Sequence, residues 1–267
     1  GSIYSCKYSF RAVIQPAQQE AAIREKITER KTDMNYSQIW ESFCFALRYV
    51  PTTLILLFVP LAFCIIFGVI IAVIRLWKVP VISKILQVLL AIFKGIPIYL
   101  LLVAANLLYV LYFDKFAAWL GISARVANSN IIHLAIFMIT ICFLPGISEI
   151  IRGGLLSVSK GQYEAGAAAG LTKLQTLRRI IFPQVIPEII PSLSGTMMSM
   201  LKASALAYCL GVTDILNASI RVATKSYDFL EGYIAAALIY WGLSIIIEGV
   251  MSLVNRRVSR YQKKLTA

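Results

Sequence analysis

From Tyr49 to Ile74 the chain carries no charged residue, and Leu, Ile, Val, Phe and Ala make up most of the run. A helix needs about 20 such residues to cross the roughly 30 Å of a bilayer's hydrocarbon core, and in water it would have no polar face to show the solvent. The stretch from about Thr52 to Ile74 is therefore expected to span a membrane, with Pro60 bending it. Further apolar stretches run from about Val81 to Phe113, Asn130 to Leu156, Val185 to Val212 and Tyr233 to Val254. Composition agrees, since 59% of the 267 residues are hydrophobic and 15% charged, with a mean hydropathy of +0.76. A soluble domain carries about 25% charged residues. These observations predict an all-α fold, a polytopic transmembrane helical bundle of about five spans over residues 51–255, with little chain left for a second domain.

Residues 1–33 hold six basic and four acidic residues and no apolar run able to span a membrane or act as a signal core. Met34 then opens MNYSQIWESF, which reads as a natural start, so residues 1–33 are expected to be an appendage upstream of it. The other reading is a short amphipathic helix over 17–31. Over 34–50, Ile39, Trp40, Phe43, Phe45, Leu47 and Tyr49 mix with Glu41 and Arg48, as in an amphipathic helix at a membrane interface anchored by Trp40 and Tyr49. The second apolar stretch is long for one helix, and Lys94, Gly95 and Pro97 are expected to interrupt it; residues 114–130 are expected to form a loop. Residues 256–267 make a basic tail. Lys and Arg number thirteen across 75–84, 152–183 and that tail, and four across 114–130 and 213–231. With five spans, the positive-inside rule puts the C-terminus in the cytoplasm and the N-terminus outside. The same loop charge accounts for the net +13 without nucleic acid.

One stretch between two apolar segments is too polar to span: Glu164 to Pro183, EAGAAAGLTKLQTLRRIIFP. Ala165 and Ala167 to Ala169 favour helix, Gly170 breaks it or lets it turn, and Leu171, Leu174, Leu177 and Ile181 recur at helical spacing. Two short helices joined at Gly170 are expected along the membrane surface, with Pro183 ending the second. Lys173, Arg178 and Arg179 flank the stripe and suit a cytoplasmic face.

The order of residues here resembles the EAA loop of bacterial ABC-importer permeases, with Glu164, Ala165, Gly170, Ile180 and Pro183 on the pattern and Gly166 and Phe182 departing from it. The resemblance implies that Glu164 to Gly170 is a cytoplasmic coupling helix that docks on a separate ATP-hydrolysing subunit. Upstream, SEIIRGGLLSVSKGQYEAG is similar to a run in the permeases for polar amino acids such as histidine, glutamine or arginine. FPQVIPEIIPSL, FKGIP (Phe93 to Pro97) and KASAL (Lys202 to Leu206) extend the likeness, so that it covers nearly all of the chain after about residue 50. In such permeases polar groups near the bilayer midplane line a cavity between two subunits. That implies substrate-pathway roles for Glu149 above all, and for Lys94, Pro97, Tyr99, Lys202 and Ser204. A charge at that depth costs about 2.5 to 3.5 kcal/mol on insertion scales, so Glu149 has a reason to be there. The residues leave two reasons open, a substrate's amino group or an ion pair with Arg152 or a lysine of a neighbouring helix. Lys94 and Lys202 read more simply as bracing helix breaks or snorkelling. Ile96, Leu101 and Ala203 stand where the family often has polar residues, so part of the expected lining is missing.

No catalytic or metal-ligating set stands out. His133 is the only histidine, and Cys6, Cys44, Cys64, Cys142 and Cys209 lack CxxC spacing and read as small buried hydrophobes. There is no GxxxxGK[ST], so ATP and Mg are expected on a partner ATPase and no cofactor on this chain. The expectation is a multi-pass subunit of a bacterial cell membrane that is not itself an enzyme and forms half of the path of an importer for polar amino acids. Its expected partners are a dimer of ATP-binding subunits, an extracytoplasmic binding protein, the lipid bilayer and a second permease, a different homologue being favoured over an identical copy by the depleted lining. Other readings are an ABC permease for methionine, cystine or an osmolyte, and a secondary transporter or channel. The last would show inverted repeats and paired intramembrane carboxylates.

Overall fold

The computed structural model describes residues 34–121, 125–126 and 130–266, with side chains as far as Val258. The proposed helix over 17–31 and the appendage before Met34 lie outside the described residues. Gln38–Ala267 forms one compact unit, and every regular element among the described residues is helical.

Helix α1 (Tyr36–Leu47) forms where an amphipathic helix was expected: Trp40 is exposed and stacks on Phe43 at 5.8 Å between ring centroids, while Ser42 and Ala46 are buried. Helix α2 (Val50–Leu76) carries Pro51 in its first turn, where the missing N–H has no partner to lose, and runs on through Pro60. The second apolar stretch is two helices, α3 (Ile82–Gly95) and α4 (Ile98–Trp119), parted at Ile96 and Pro97. Ile96 is extended there because a following proline ring excludes helical backbone. Helix α4 continues past Phe113, so residues 114–119 are helix where a loop was expected. Asp114 and Lys115 sit near its end, where charged side chains reach water, and the Asp114 carboxylate accepts a hydrogen bond from the Val126 N–H at 2.7 Å.

Helix α5 (Ile132–Ser157) leads to α6 (Lys160–Ala168) and α7 (Lys173–Thr176). A π-turn, Leu177–Ile181, then feeds α8 (Phe182–Ser204), followed by a 3₁₀ turn, Ala205–Leu210, and by α9 (Ile215–Ser226) and α10 (Phe229–Thr266). Pro183 does not end the second short helix, contrary to expectation. The wide turn before it closes with the Phe182 N–H on the Leu177 carbonyl. This removes the clash a proline ring makes with the carbonyl four residues back, and Pro183 becomes a first-turn residue of α8. The helix then passes through Pro187 and Pro191 as well.

Helices α2, α4, α5 and the Phe229–Val258 part of α10 are long and apolar enough to cross a membrane. Lys173–Leu210 and Ile215–Ser226, bent by 51° to one another, read together as a fifth span. Helix α2 packs along α5, α5 against α8, and α8 against α10. Their shared core includes Leu56, Leu57, Ile139, Ile151, Met200 and Leu201, all with essentially no exposed surface. Gly154 lets α8 come close, since a Cβ there would lie 2.4 Å from Ile189 Cγ2. A smaller cluster of Ala46, Ile215, Ala218, Ala236 and Ile239 joins α1, α9 and α10. Large apolar side chains also face outward, Leu107, Leu108 and Leu111 on α4 and Trp241, Ile245 and Ile246 on α10 among them. In water such patches would drive aggregation; against hydrocarbon they are solvated.

Candidate functional site

The polar stretch folds as a hairpin of α6 and α7. Helix α6 starts at Lys160, so Glu164 lies inside it and not at its N-terminus as the expected limits, Glu164 to Gly170, implied. The Tyr163 hydroxyl donates to the Leu155 carbonyl at 2.8 Å and ties α6 to the end of α5; partial burial pushes this phenol's pKa up, which keeps it a donor. At the other end Gly170 has φ +74, the left-handed conformation expected of a turn glycine. The Leu171 N–H donates to the Gly166 carbonyl and the Gly170 N–H to the Ala167 carbonyl, both at 3.0 Å, which is the Schellman pattern. Directly after it, Thr172 and Gln175 form a capping box: the Gln175 N–H donates to Thr172 Oγ1 and the Thr172 N–H to Gln175 Oε1 at 2.9 Å. Three residues therefore stop one helix and start the next.

The two arms touch at Gly166 and Thr176. A Cβ on Gly166 would lie 2.5 Å from Thr176 Cγ2 and 2.6 Å from its Oγ1, so an alanine at this place in the loop does not fit against Thr176. The amide of Gln184 donates to the Ile180 carbonyl at 2.9 Å and to Gln162 Oε1 at 3.4 Å, bringing together glutamines from two of the recognised runs. Of the residues expected to couple, Glu164 and Ala165 are exposed on α6, Gly170 makes the turn, and Ile180 and Pro183 are half-buried where the second arm enters the bundle. Beside Glu164 lies an open, mostly apolar groove of about 490 Å³, walled by Trp77, Leu156, Val158, Tyr163, Ala167 and Leu171.

Glu149 is engaged by two arginines. Its carboxylate accepts from Arg75 Nη1 at the end of α2 and from Arg152 Nε on its own helix at 3.0 Å. Both of its oxygens are thus occupied by cations, which is the ion-pair arrangement, with Arg75 as the partner the sequence did not single out. Lys94 borders a cavity of about 200 Å³ at the α3–α4 break, together with Ile96, Cys142, Pro145 and Gly146. Pro97 begins α4 and Tyr99 is half-exposed just after it. Lys202 is exposed on α8. Ser204 is fully buried and its hydroxyl donates to the Leu201 carbonyl at 2.7 Å, so it presents no free group to a passing ligand.

Sequence reasoning also missed a buried polar cluster at the far end of the bundle. Asp214, with no exposed surface, caps α9 by accepting from the Asn217 N–H at 2.9 Å and accepts from the Tyr240 hydroxyl of α10 at 2.8 Å. The Ile215 N–H donates to Thr53 Oγ1 of α2, and the Asn217 amide to the Val212 carbonyl at 3.0 Å. Asp214 before ILN is a readable N-cap. Its burial and its bond to Tyr240 are not readable.

Apolar helices in a membrane-sized bundle with a polar hairpin at one end describe a multi-pass membrane protein. Residues 64–260 match the family described as binding-protein-dependent transport system inner membrane component, and the chain belongs to that family. Over 228 residues it is 33% identical to a probable amino-acid ABC transporter permease of Vibrio harveyi, covering 85% of this chain and 97% of that one. It is 28% identical over 217 residues to an L-cystine transport system permease of Bacillus subtilis, covering 81% and 88%. In fold it resembles a chain in a crystal structure of an amino acid ABC transporter with histidines, with a TM-score of 0.68, 23% identity and coverage of 85% of this chain and 100% of that one.

Proposed function

We propose that this chain is the permease subunit of an ATP-driven importer for polar amino acids or close analogues, lying in a bacterial cell membrane with its hairpin and C-terminus in the cytoplasm and its N-terminus outside. The observation that carries the reading is the α6–α7 hairpin. It is a hairpin capped on both sides of its turn that shows Glu164 and Ala165 to the solvent and returns directly into α8. Movement imposed on α6 by a partner would pass through Gly166 and Thr176 into α8 and through Tyr163 into α5. A pair of ATPase subunits, holding ATP and Mg, would supply that movement, a binding protein outside would deliver substrate, and a second permease would complete the path. The chain itself needs no cofactor in this scheme. The amino-acid class is carried over from the relatives, since the Glu149 carboxylate is already committed to two arginines.

The test is uptake of labelled amino acids by the whole complex in proteoliposomes, with and without loaded binding protein, for the wild type and Glu164→Lys. Uptake and ATP hydrolysis should both depend on the loaded binding protein. The charge reversal, on an exposed face with no ion pair to Glu164 among the described residues, should abolish both while leaving the protein inserted. Uptake that persists without the binding protein, or in Glu164→Lys, would overturn the reading.

A further inference from the structure

Next to the Glu149 ion pairs, the ends of α2 and α5 and the start of α3 enclose an open cavity of about 410 Å³. It lies at the same end of the bundle as the hairpin, because Leu76, Trp77 and Leu155 wall the groove beside Glu164 while Arg75, Lys78 and Arg152 wall this cavity. Arg75, Lys78, Lys84 and Arg152 line it, with Ser83 and Gln87 adding a hydroxyl and an amide. Among the described residues no acid is in the wall, and Glu149, which holds both arginines, offsets one of four positive charges. The N-terminus of α3 opens on the same space with no side-chain cap and no acid in its first turn. The turn before it is strained: Lys78 has φ +50, and Val81, a β-branched residue, has φ +67 at the centre of a γ-turn closed by the Ile82 N–H on the Pro80 carbonyl at 2.8 Å.

A topological charge bias asks for basic residues on this side of the membrane, but it does not ask four of them, from three helices and the turn joining two of these, to converge on one cavity. Convergence of that kind, with hydroxyl and amide donors beside it, suits a phosphate, and the volume is in the usual range for a small-molecule site of about 300 to 1,000 Å³. The choice between a soluble phosphate and a lipid is made by α3. Its polar residues Ser83, Lys84 and Gln87 line the cavity, while Ile82, Ile85, Val88, Leu89 and Ile92 form an exposed apolar stripe along the rest of it. A headgroup in the cavity would therefore have somewhere to lay its acyl chains, whereas a free anion would leave that stripe unused. We propose that the Arg75, Lys78, Lys84 and Arg152 cavity binds the headgroup phosphate of an anionic phospholipid. A bound phosphate competes with Glu149 for both arginines, so lipid occupancy loosens the bridge between α2 and α5.

The experiment uses the assembled complex in nanodiscs of phosphatidylcholine mixed with phosphatidylglycerol, with retained phosphatidylglycerol measured by native mass spectrometry. Lys78→Gln with Lys84→Gln should weaken retention about 30-fold, at about 5-fold per lysine near an anionic surface. Replacing both lysines by arginine should preserve it. Arg256→Gln with Arg257→Gln, which removes equal charge from an exposed part of α10 elsewhere, should leave it unchanged. A second arm titrates inorganic phosphate onto the complex in discs of phosphatidylcholine alone, where no saturable binding dependent on Lys78 and Lys84 should be seen. Equal retention in the Lys78 and Lys84 double variant, an equal loss in the Arg256 and Arg257 variant, or saturable binding of inorganic phosphate at these lysines would each overturn the proposal.

Discussion

Gly170 and Gly166 are both glycines of the hairpin, but for different reasons, and substitutions separate them. At Gly170 a Cβ would meet nothing within 4 Å, so the constraint is the backbone conformation alone, φ +74. Gly170→Val should cost about 1 to 3 kcal/mol of local stability, and Gly170→Asn less, because Asn tolerates the left-handed region. Limited proteolysis of the hairpin in the two variants would show the order. At Gly166 the constraint is Thr176. Gly166→Ala should destabilise by about 1 to 3 kcal/mol through overpacking even though alanine is the better helix former. Adding Thr176→Ala removes the γ atoms that clash, and the double variant should melt at or above the wild-type temperature. A double variant as unstable as Gly166→Ala alone would show that the contact is not the cause. The departure of Gly166 from the usual Ala of the loop was visible in the sequence. Its partner was not, because no local pattern says which residue of the second arm meets it.

Between elements, the main electrostatic join is Arg75 of α2 to Glu149 of α5. The Glu149 side chain is 36% exposed, so the coupling is worth far less than a fully buried pair. A double-mutant cycle of Arg75→Met and Glu149→Gln, read by thermal unfolding of the purified complex, should give a coupling energy of about 1 kcal/mol. A coupling near zero would mean that Arg152 alone satisfies the carboxylate. Helix α8 teaches a related point about elements. Pro183 was expected to end a helix, yet the chain stays helical through it and through Pro187 and Pro191 because a π-turn precedes the first and the helix is held by the buried Val185, Ile190, Met200 and Leu201. Packing overrides a local breaker where enough apolar surface is buried.

At the scale of the whole molecule, the proposed function calls for a second permease to complete a path that four or five spans are too few to enclose, so the composition of the complex is the next question. Ile96 is exposed, Leu101 half-buried and Ala203 buried in this chain, and all three stand where a polar lining was expected. An identical pair would need both copies to contact substrate, whereas a pair of different homologues lets one copy keep only gating and coupling. The expected outcome is a heterodimer. Tagging this chain alone and weighing the purified complex by native mass spectrometry checks it, and two copies of this chain with no second permease would reject it. In a heterodimer, Glu149→Gln in this chain should slow uptake less than the matching change in the partner.

Span lengths, the break before Pro97 and the turn at Gly170 are all short-range matters of hydrocarbon thickness and allowed backbone angles. They could therefore be read along the chain, as could the likeness of the hairpin to a coupling loop. The bond of Arg75 to Glu149, the burial of Ser204 and Asp214, the contact of Gly166 with Thr176 and the convergence of four cations on one cavity join residues from separate helices. A helical period tells which residues share a face, but not how far each helix is rotated about its axis when it packs. Those side chains found their partners only when the helices came together.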